Sequence, residues 1–351
     1  MAPVGIQARA SRTIAGVIVS ALSWTAACGD ERTPEQDDAT ASGISVSSSA
    51  TTGIDPSGVS DTADKLDVLG GDGGMGGDSS SDAGCKKVDL LFVIDNSGSM
   101  ADEQSNLAAS FPSFITAMRQ ELADTNGYNV GVISSDAYAG DFSCSLQDGV
   151  LITRTAGADA SNANCGPFMS GGRYMNETDD LETKFGCVAK IGTSGDGNER
   201  PMTALSAALS PGLAGPGGCN EGFLRDDALL VVIIITDEED DHEVDGCMQE
   251  PQPGSSGDPN GWFQAVIAAK GGDESKVVVL SLVGPAEQPQ CPALDKCNGG
   301  IDGAEVATRI LEFTNMFTYG FVGPICEPYG PFFLEAIGVI KSACDDFEPP
   351  A

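Results

Sequence analysis

Positive charge is scarce in this chain. Lysine and arginine number 18 against 52 aspartates and glutamates, for a formal net charge of −34. Such a polyanion repels phosphates and has no basic stripe to release counterions, which argues against nucleic acid as a partner. The same repulsion argues against an anionic membrane surface. Histidine occurs once, as His242, and no two cysteines form a CxxC pair. Structural zinc therefore has no ligand set. A Ser-His-Asp or Cys-His arrangement would have to use His242, which sits among acids with no nucleophile motif nearby. GxSxG, HExxH and phosphate-loop signatures are absent. The chain reads as a non-enzyme, with a hydrolase as the remote alternative. Aromatics make up only 6%, yet 41% of residues are apolar and some lie in dense runs, which excludes a wholly disordered chain.

Cysteine is plentiful, and the count is odd, at 11. The N-terminus accounts for the odd one. Arg9 and Arg12 precede a short apolar stretch from Ile14 to Leu22, then Ala26, Ala27 and Cys28. This is a secretory signal over 1–27, too short for a comfortable membrane span. The small residues before Cys28 resemble a bacterial lipoprotein lipobox, with Thr25 where leucine is usual. The resemblance implies lipidation of Cys28 and an exported protein of the bacterial cell envelope. Membrane contact would then be through the N-terminal lipid only. Ten cysteines remain: Cys85, Cys144, Cys165, Cys187, Cys219, Cys247, Cys291, Cys297, Cys326 and Cys344. An exported chain would pair them in up to five disulfides. Connectivity stays open, with Cys85 and Cys344 a candidate clasp at the two ends of one domain.

Residues 28–84 are Gly, Ser, Thr and Asp with almost no bulky content. That composition cannot bury enough surface to offset ordering entropy, so the segment reads as a disordered tether. From 85 to 351 strands and helices alternate. Val88 to Ile94 is a near-continuous apolar run, as in a buried parallel strand. Leu107, Phe111, Phe114, Ile115, Met118 and Leu122 then recur at helical spacing, with Pro112 marking a kink or a late start. Further strands are expected at 128–135, 150–153, 229–235, 276–283 and 317–322. Helices are expected at 179–190, from Met202, at 260–270, at 303–313 and at 331–343. The pattern predicts an α/β class: a doubly wound, mostly parallel six-stranded sheet with helices on both faces.

The first strand ends in Asp95-Asn96-Ser97-Gly98-Ser99, and the run Leu229 to Ile235 ends in Thr236-Asp237. Sites in such sheets form beyond the carboxyl ends of strands. An aspartate and two serines spaced by two residues there can aim several oxygens at one centre. Oxygen-only ligands suit Mg²⁺, Mn²⁺ or Ca²⁺. Neighbouring strands would bring Asp95 and Asp237 together.

These residues resemble a von Willebrand factor type A domain with a metal-ion-dependent adhesion site. Asp95, Ser97 and Ser99 match the DxSxS motif, Met100-Ala101-Asp102-Glu103 the helix start, and Asp237 the later strand end. The resemblance covers about three-quarters of the chain. It implies a divalent cation held by Asp95, Ser97, Ser99 and Asp237, and a protein partner that offers it an acidic group. The family usually supplies a threonine hydroxyl five residues before an Ala-Leu pair; counting back from Ala204-Leu205 gives Glu199. As a ligand, Glu199 would add negative charge, hold the metal tighter and favour calcium over magnesium. On the residues alone it is equally a helix first-turn acid favoured by the dipole.

Behind Asp237 come Glu238, Glu239, Asp240, Asp241 and His242. Five consecutive acids read as a solvated loop, with Asp240 and Asp241 the candidates for a second cation. The leading function is thus a tethered, metal-dependent adhesion module. The alternative is a structural or envelope-assembly protein in which the cation only stabilises the fold.

Overall fold

The computed structural model describes residues 84–350, apart from 123–124, 126, 241–252, 287–290 and 295–302. The expected signal and tether, and the candidates Cys28, Asp241, His242, Cys247 and Cys297, lie outside the described residues.

Apolar runs form the centre. Strands β1 (Lys87–Ile94), β2 (Gly127–Ser134), β4 (Leu229–Ile235) and β5 (Val277–Val283) are almost wholly buried. With β3 (Met175–Asn176) and β6 (Gly320–Pro324) they make one six-stranded sheet in the order β3-β2-β1-β4-β5-β6. All pairings are parallel except β2 with β3. The runs are continuous because both faces are covered. Val88, Leu90, Phe92 and Ile94 of β1 face one core, and Leu91 and Val93 the other.

The first core receives α1 (Ala101–Glu121), α2 (Leu181–Val188) and α7 (Tyr329–Asp345). Phe92 of β1 meets Phe185 of α2 at 4.6 Å between ring centroids. The second receives α3 (Pro201–Ala208), α5 (Pro259–Ala268) and α6 (Thr308–Thr314). A single turn, α4 (Pro211–Ala214), follows α3. Pro112 lies inside α1, which starts at Ala101, so it does not mark a late start. The strand expected at 150–153 does not form; Ile152 N donates once to Val132 O of β2 (2.8 Å). The short antiparallel β3 takes that edge instead.

Among the described residues four disulfides form: Cys85–Cys344, Cys144–Cys219, Cys165–Cys187 and Cys291–Cys326. The first joins the approach to β1 with the end of α7, as the clasp expectation had it. Among the described residues no helix is long and apolar enough to cross a membrane.

Candidate metal centre

Ile94 and Ile235 are register partners in adjacent parallel strands. Asp95 and Thr236 therefore leave the sheet side by side, and Asp95 N donates to Ile235 O (3.0 Å). Asp95 is fully buried. Its Oδ1 accepts from Ser97 N (2.7 Å) and its Oδ2 from the Thr236 hydroxyl (2.6 Å). The Ser97 and Ser99 hydroxyls lie 3.2 Å apart. Gln104, in the first turns of α1, fixes this turn from below. Its Nε2 donates to Asp95 O (2.9 Å) and to Gly192 O (3.0 Å), and its Oε1 accepts from Gly192 N (2.9 Å). The 192–198 loop is thereby drawn over the DxSxS turn. Gly195 N donates to Asn96 O (2.9 Å), and a Cβ there would stand 2.5 Å from the Asn96 side chain, which would have to shift to admit it.

That loop delivers Glu199, just ahead of α3. Glu199 and Asp237 are fully buried, and neither carboxylate has a hydrogen-bond partner on either oxygen. Glu103 Oε2 of α1 is buried and unpaired as well. Burial and the neighbouring Asp95 charge push Glu199 well above the usual carboxylate range. The same two causes carry Asp237 up to about 9. Burial, then Asp102, raises Glu103 to about 8. Burial also raises Asp95, against the hydrogen bond from Thr236. Thr193, in the loop ahead of Glu199, donates its hydroxyl to Asp159 (2.7 Å).

The structure thus gathers Asp95, Ser97, Ser99, Glu199 and Asp237 at the carboxyl ends of β1 and β4. Among the described residues, no three His, Cys, Asp or Glu side chains converge closely enough to hold a metal by themselves. Hydroxyls must share the work, and Ser97 and Ser99 supply them. The set is oxygen-only, acid-rich and short of hydrogen-bond donors, which fits a hard divalent cation. Five unpaired carboxylate oxygens in a desolvated place are costly without one.

The described part of the acidic run, Glu238 to Asp240, is not solvated. Glu238, Glu239 and Asp240 are all buried. Asp240 accepts from Ser255 N (2.6 Å), Met202 N (3.2 Å) and Arg309 Nη1 (3.2 Å). Glu239 accepts from Arg309 N and Asp240 N, both at 2.8 Å. Arg309 stacks over Trp262, 4.4 Å from the ring centroid. Asp240 is therefore committed to holding α3, α6 and the 255–257 loop together, and its partner candidate Asp241 lies outside the described residues. Sequence reasoning named Thr236 and Glu103 without giving them a role in the site, and passed over Gln104. A signal existed for each: a polar residue in the first turn after the motif, or directly before the second aspartate.

No family model matches the chain, and no curated protein matches it. Solved structures do, at low likeness. Proximal thread matrix protein 1 from the mussel byssus is 10% identical, with a TM-score of 0.35, over 73% of this chain and 48% of that one. The pilus adhesin SpaC from Lactobacillus rhamnosus GG is 11% identical, with a TM-score of 0.36, over 75% and 31%. The PilB minor pilin from Streptococcus sanguinis is 14% identical, with a TM-score of 0.35, over 76% and 64%. The chain spans less than two-thirds of each of these structures.

Proposed function

We propose that the chain is an exported, envelope-tethered binding module of the von Willebrand type A kind, doubly wound and dependent on a divalent cation. The observation that carries this reading is the pair Glu199 and Asp237: two buried carboxylates with all their oxygens unpaired, beside the Asp95-Ser97-Ser99 turn. Asp95, Ser97, Ser99, Glu199 and Asp237 would hold the ion. A bound cation would supply a Lewis-acidic position for an acidic group of a protein partner. Disulfide bracing supports an oxidising, exported setting. Lipid anchoring at Cys28 rests on the sequence pattern alone.

A specific observation favours a second reading. Asp95, Glu199 and Asp237 are fully buried, and the serines nearly so. A closed site suits an ion that only stabilises the fold. Competition separates the two: a small carboxylate such as acetate should displace the partner in the first case and not in the second.

The test of the cation itself is thermal unfolding of the chelator-stripped protein, titrated with Mg²⁺, Mn²⁺ and Ca²⁺, with Asp95→Ala alongside. An ion that binds only the folded state raises the midpoint by mass action. The expected result is a rise that Asp95→Ala loses. A flat response to all three ions overturns the reading.

A further inference from the structure

The long segment between β2 and α3 forms a cleft of about 390 Å³ whose lining includes Ala139, Gly140, Asp141, Phe142, Arg154 and Ala156. That volume suits a ligand side chain or a short peptide segment. Two of the lining side chains stand out. Phe142 is 71% exposed, an aromatic ring left in water. Arg154 is exposed as well. Arg173, Arg200, Arg225 and Arg309 each pair with an aspartate. Among the described residues the Arg154 guanidinium has no such partner, in a chain with 52 acids to 18 bases.

One buried carboxylate holds both residues in place. Asp141 Oδ1 accepts from Ser143 N (2.9 Å), which closes the turn beneath Phe142. Asp141 Oδ2 accepts from Arg154 N (3.2 Å) and Thr153 N (2.7 Å). Arg173 Nη2 meets the same oxygen at 2.7 Å and offsets the Asp141 charge. Arg154 is then the charge left among the lining residues. Cys144, two positions beyond Phe142, is tied to Cys219. A backbone fixed before a partner arrives lowers the ordering cost of binding. Exposed aromatic rings and arginines are the side chains that anchor protein interfaces.

The cleft adjoins the loop that covers the DxSxS turn. Tyr138 Oη accepts from Ala156 N (3.1 Å) and donates to Ile191 O (2.6 Å). Thr193 N donates to Ala158 O (2.9 Å), and Ala158 N to Ser194 Oγ (3.0 Å). Residues 156–158 therefore link the cleft to the candidate metal centre, within reach of one partner.

We propose that the cleft between Phe142 and Arg154 docks an acidic segment of the protein partner. A carboxylate of that segment pairs with Arg154, and an apolar side chain beside it packs on the Phe142 ring. A free guanidinium selects a planar anion through its paired donors. The net negative charge of the chain opposes such a segment at long range, and physiological salt screens it beyond about 8 Å. The proposal rests on the binding-module reading given above and not on its cation.

The experiment is an NMR titration of the full chain in chelator with two blocked tetrapeptides, acetyl-Gly-Phe-Asp-Gly-amide and its Asn counterpart. Chelator keeps the metal centre from taking the carboxylate. The Asp peptide should bind wild type with a Kd of about 1 mM, and Arg154→Gln about tenfold more weakly. The Asn peptide should bind wild type no better than the Asp peptide binds that variant. Phe142→Ala should weaken the Asp peptide about fivefold. Both side chains are exposed, so the variants should keep the wild-type unfolding midpoint. Equal binding of the two peptides, binding of neither, or wild-type affinity in Arg154→Gln overturns the proposal. Glucuronate that binds more tightly than the Asp peptide, and is lost in Arg154→Gln, overturns the protein assignment in favour of an acidic sugar. The midpoint rise with added Ca²⁺ is read separately, so failure of the cleft leaves the cation reading standing.

Discussion

Thr236 donates its hydroxyl proton to Asp95 Oδ2 at 2.6 Å, from the end of β4 to the end of β1. The Thr236 hydroxyl oxygen in turn accepts from Glu238 N at 3.1 Å. One side chain therefore satisfies a buried acid and a buried amide. Thr236→Val keeps the shape and strands both groups. An unsatisfied buried partner costs about 1–3 kcal/mol, more when charged. Urea unfolding should show a loss of about 2–4 kcal/mol for Thr236→Val and under about 1 kcal/mol for Thr236→Ser. A valine variant as stable as wild type would show that the pair contributes nothing.

Acid titration should give the metal-free protein an unusual stability profile. Burial raises Asp89 to about 6 against the pull of Arg225, Glu239 to about 7, Glu103 to about 8 and Asp237 to about 9. Between the unfolded carboxylate range and these values the folded state binds more protons than the unfolded one. Stability then falls as pH rises, from about 4 to about 9. Asp141 acts oppositely. Its hydrogen bonds from Ser143 and Thr153 outweigh burial and hold it near 2, so its contribution is present above the unfolded value and lost as pH drops toward 2. In chelator, the urea midpoint should peak near pH 4 to 5 and decline through pH 9. A midpoint flat from pH 5 to 9 would contradict the buried acids.

Particular residues show why parts of this fold and site can be read from sequence. β4 announces itself because burial on both faces leaves seven apolar residues with no polar break. Asp95, Ser97, Ser99 and Asp237 stand out because each follows such a run. β3 has two residues and no period to detect. The acids after Asp237 look solvated because charge alone does not reveal Arg309, 69 positions away from Asp240. Asp89, hidden inside an apolar run, finds Arg225 at 2.7 Å across 136 positions. Long-range pairing of this kind has no local signature.

Arg309 is the largest such dependency. Its guanidinium meets Asp240 Oδ1, Asp240 O and Gly257 O, and it covers the Trp262 ring. Asp240 is fully buried, so removing its partner leaves an uncompensated charge. Such losses run to about 3–5 kcal/mol. Arg309→Ala should cost that much in urea unfolding. Arg309→Lys should recover less than half, since one ammonium cannot replace a planar fork. Full recovery with lysine would mean that only the charge matters.

Glu199 provides the sharpest separation between folding and ion binding. It is fully buried, both oxygens are unpaired, and its charge faces that of Asp95. In the absence of cation such a group destabilises the fold; with a cation it becomes an extra negative ligand. Glu199→Thr therefore changes two quantities in opposite directions. The metal-free midpoint should rise, because a buried acid is exchanged for a neutral hydroxyl. The increment produced by Ca²⁺ should shrink, because each tenfold loss of affinity removes about 1.4 kcal/mol of stabilisation at saturating ion. The Mg²⁺ increment should shrink less, which narrows the preference for calcium. Glu199→Gln, of nearly the same shape, should raise the metal-free midpoint and weaken Ca²⁺ to a similar extent. If Glu199→Thr lowers the metal-free midpoint and leaves the calcium increment untouched, Glu199 is a structural residue and the site is built without it.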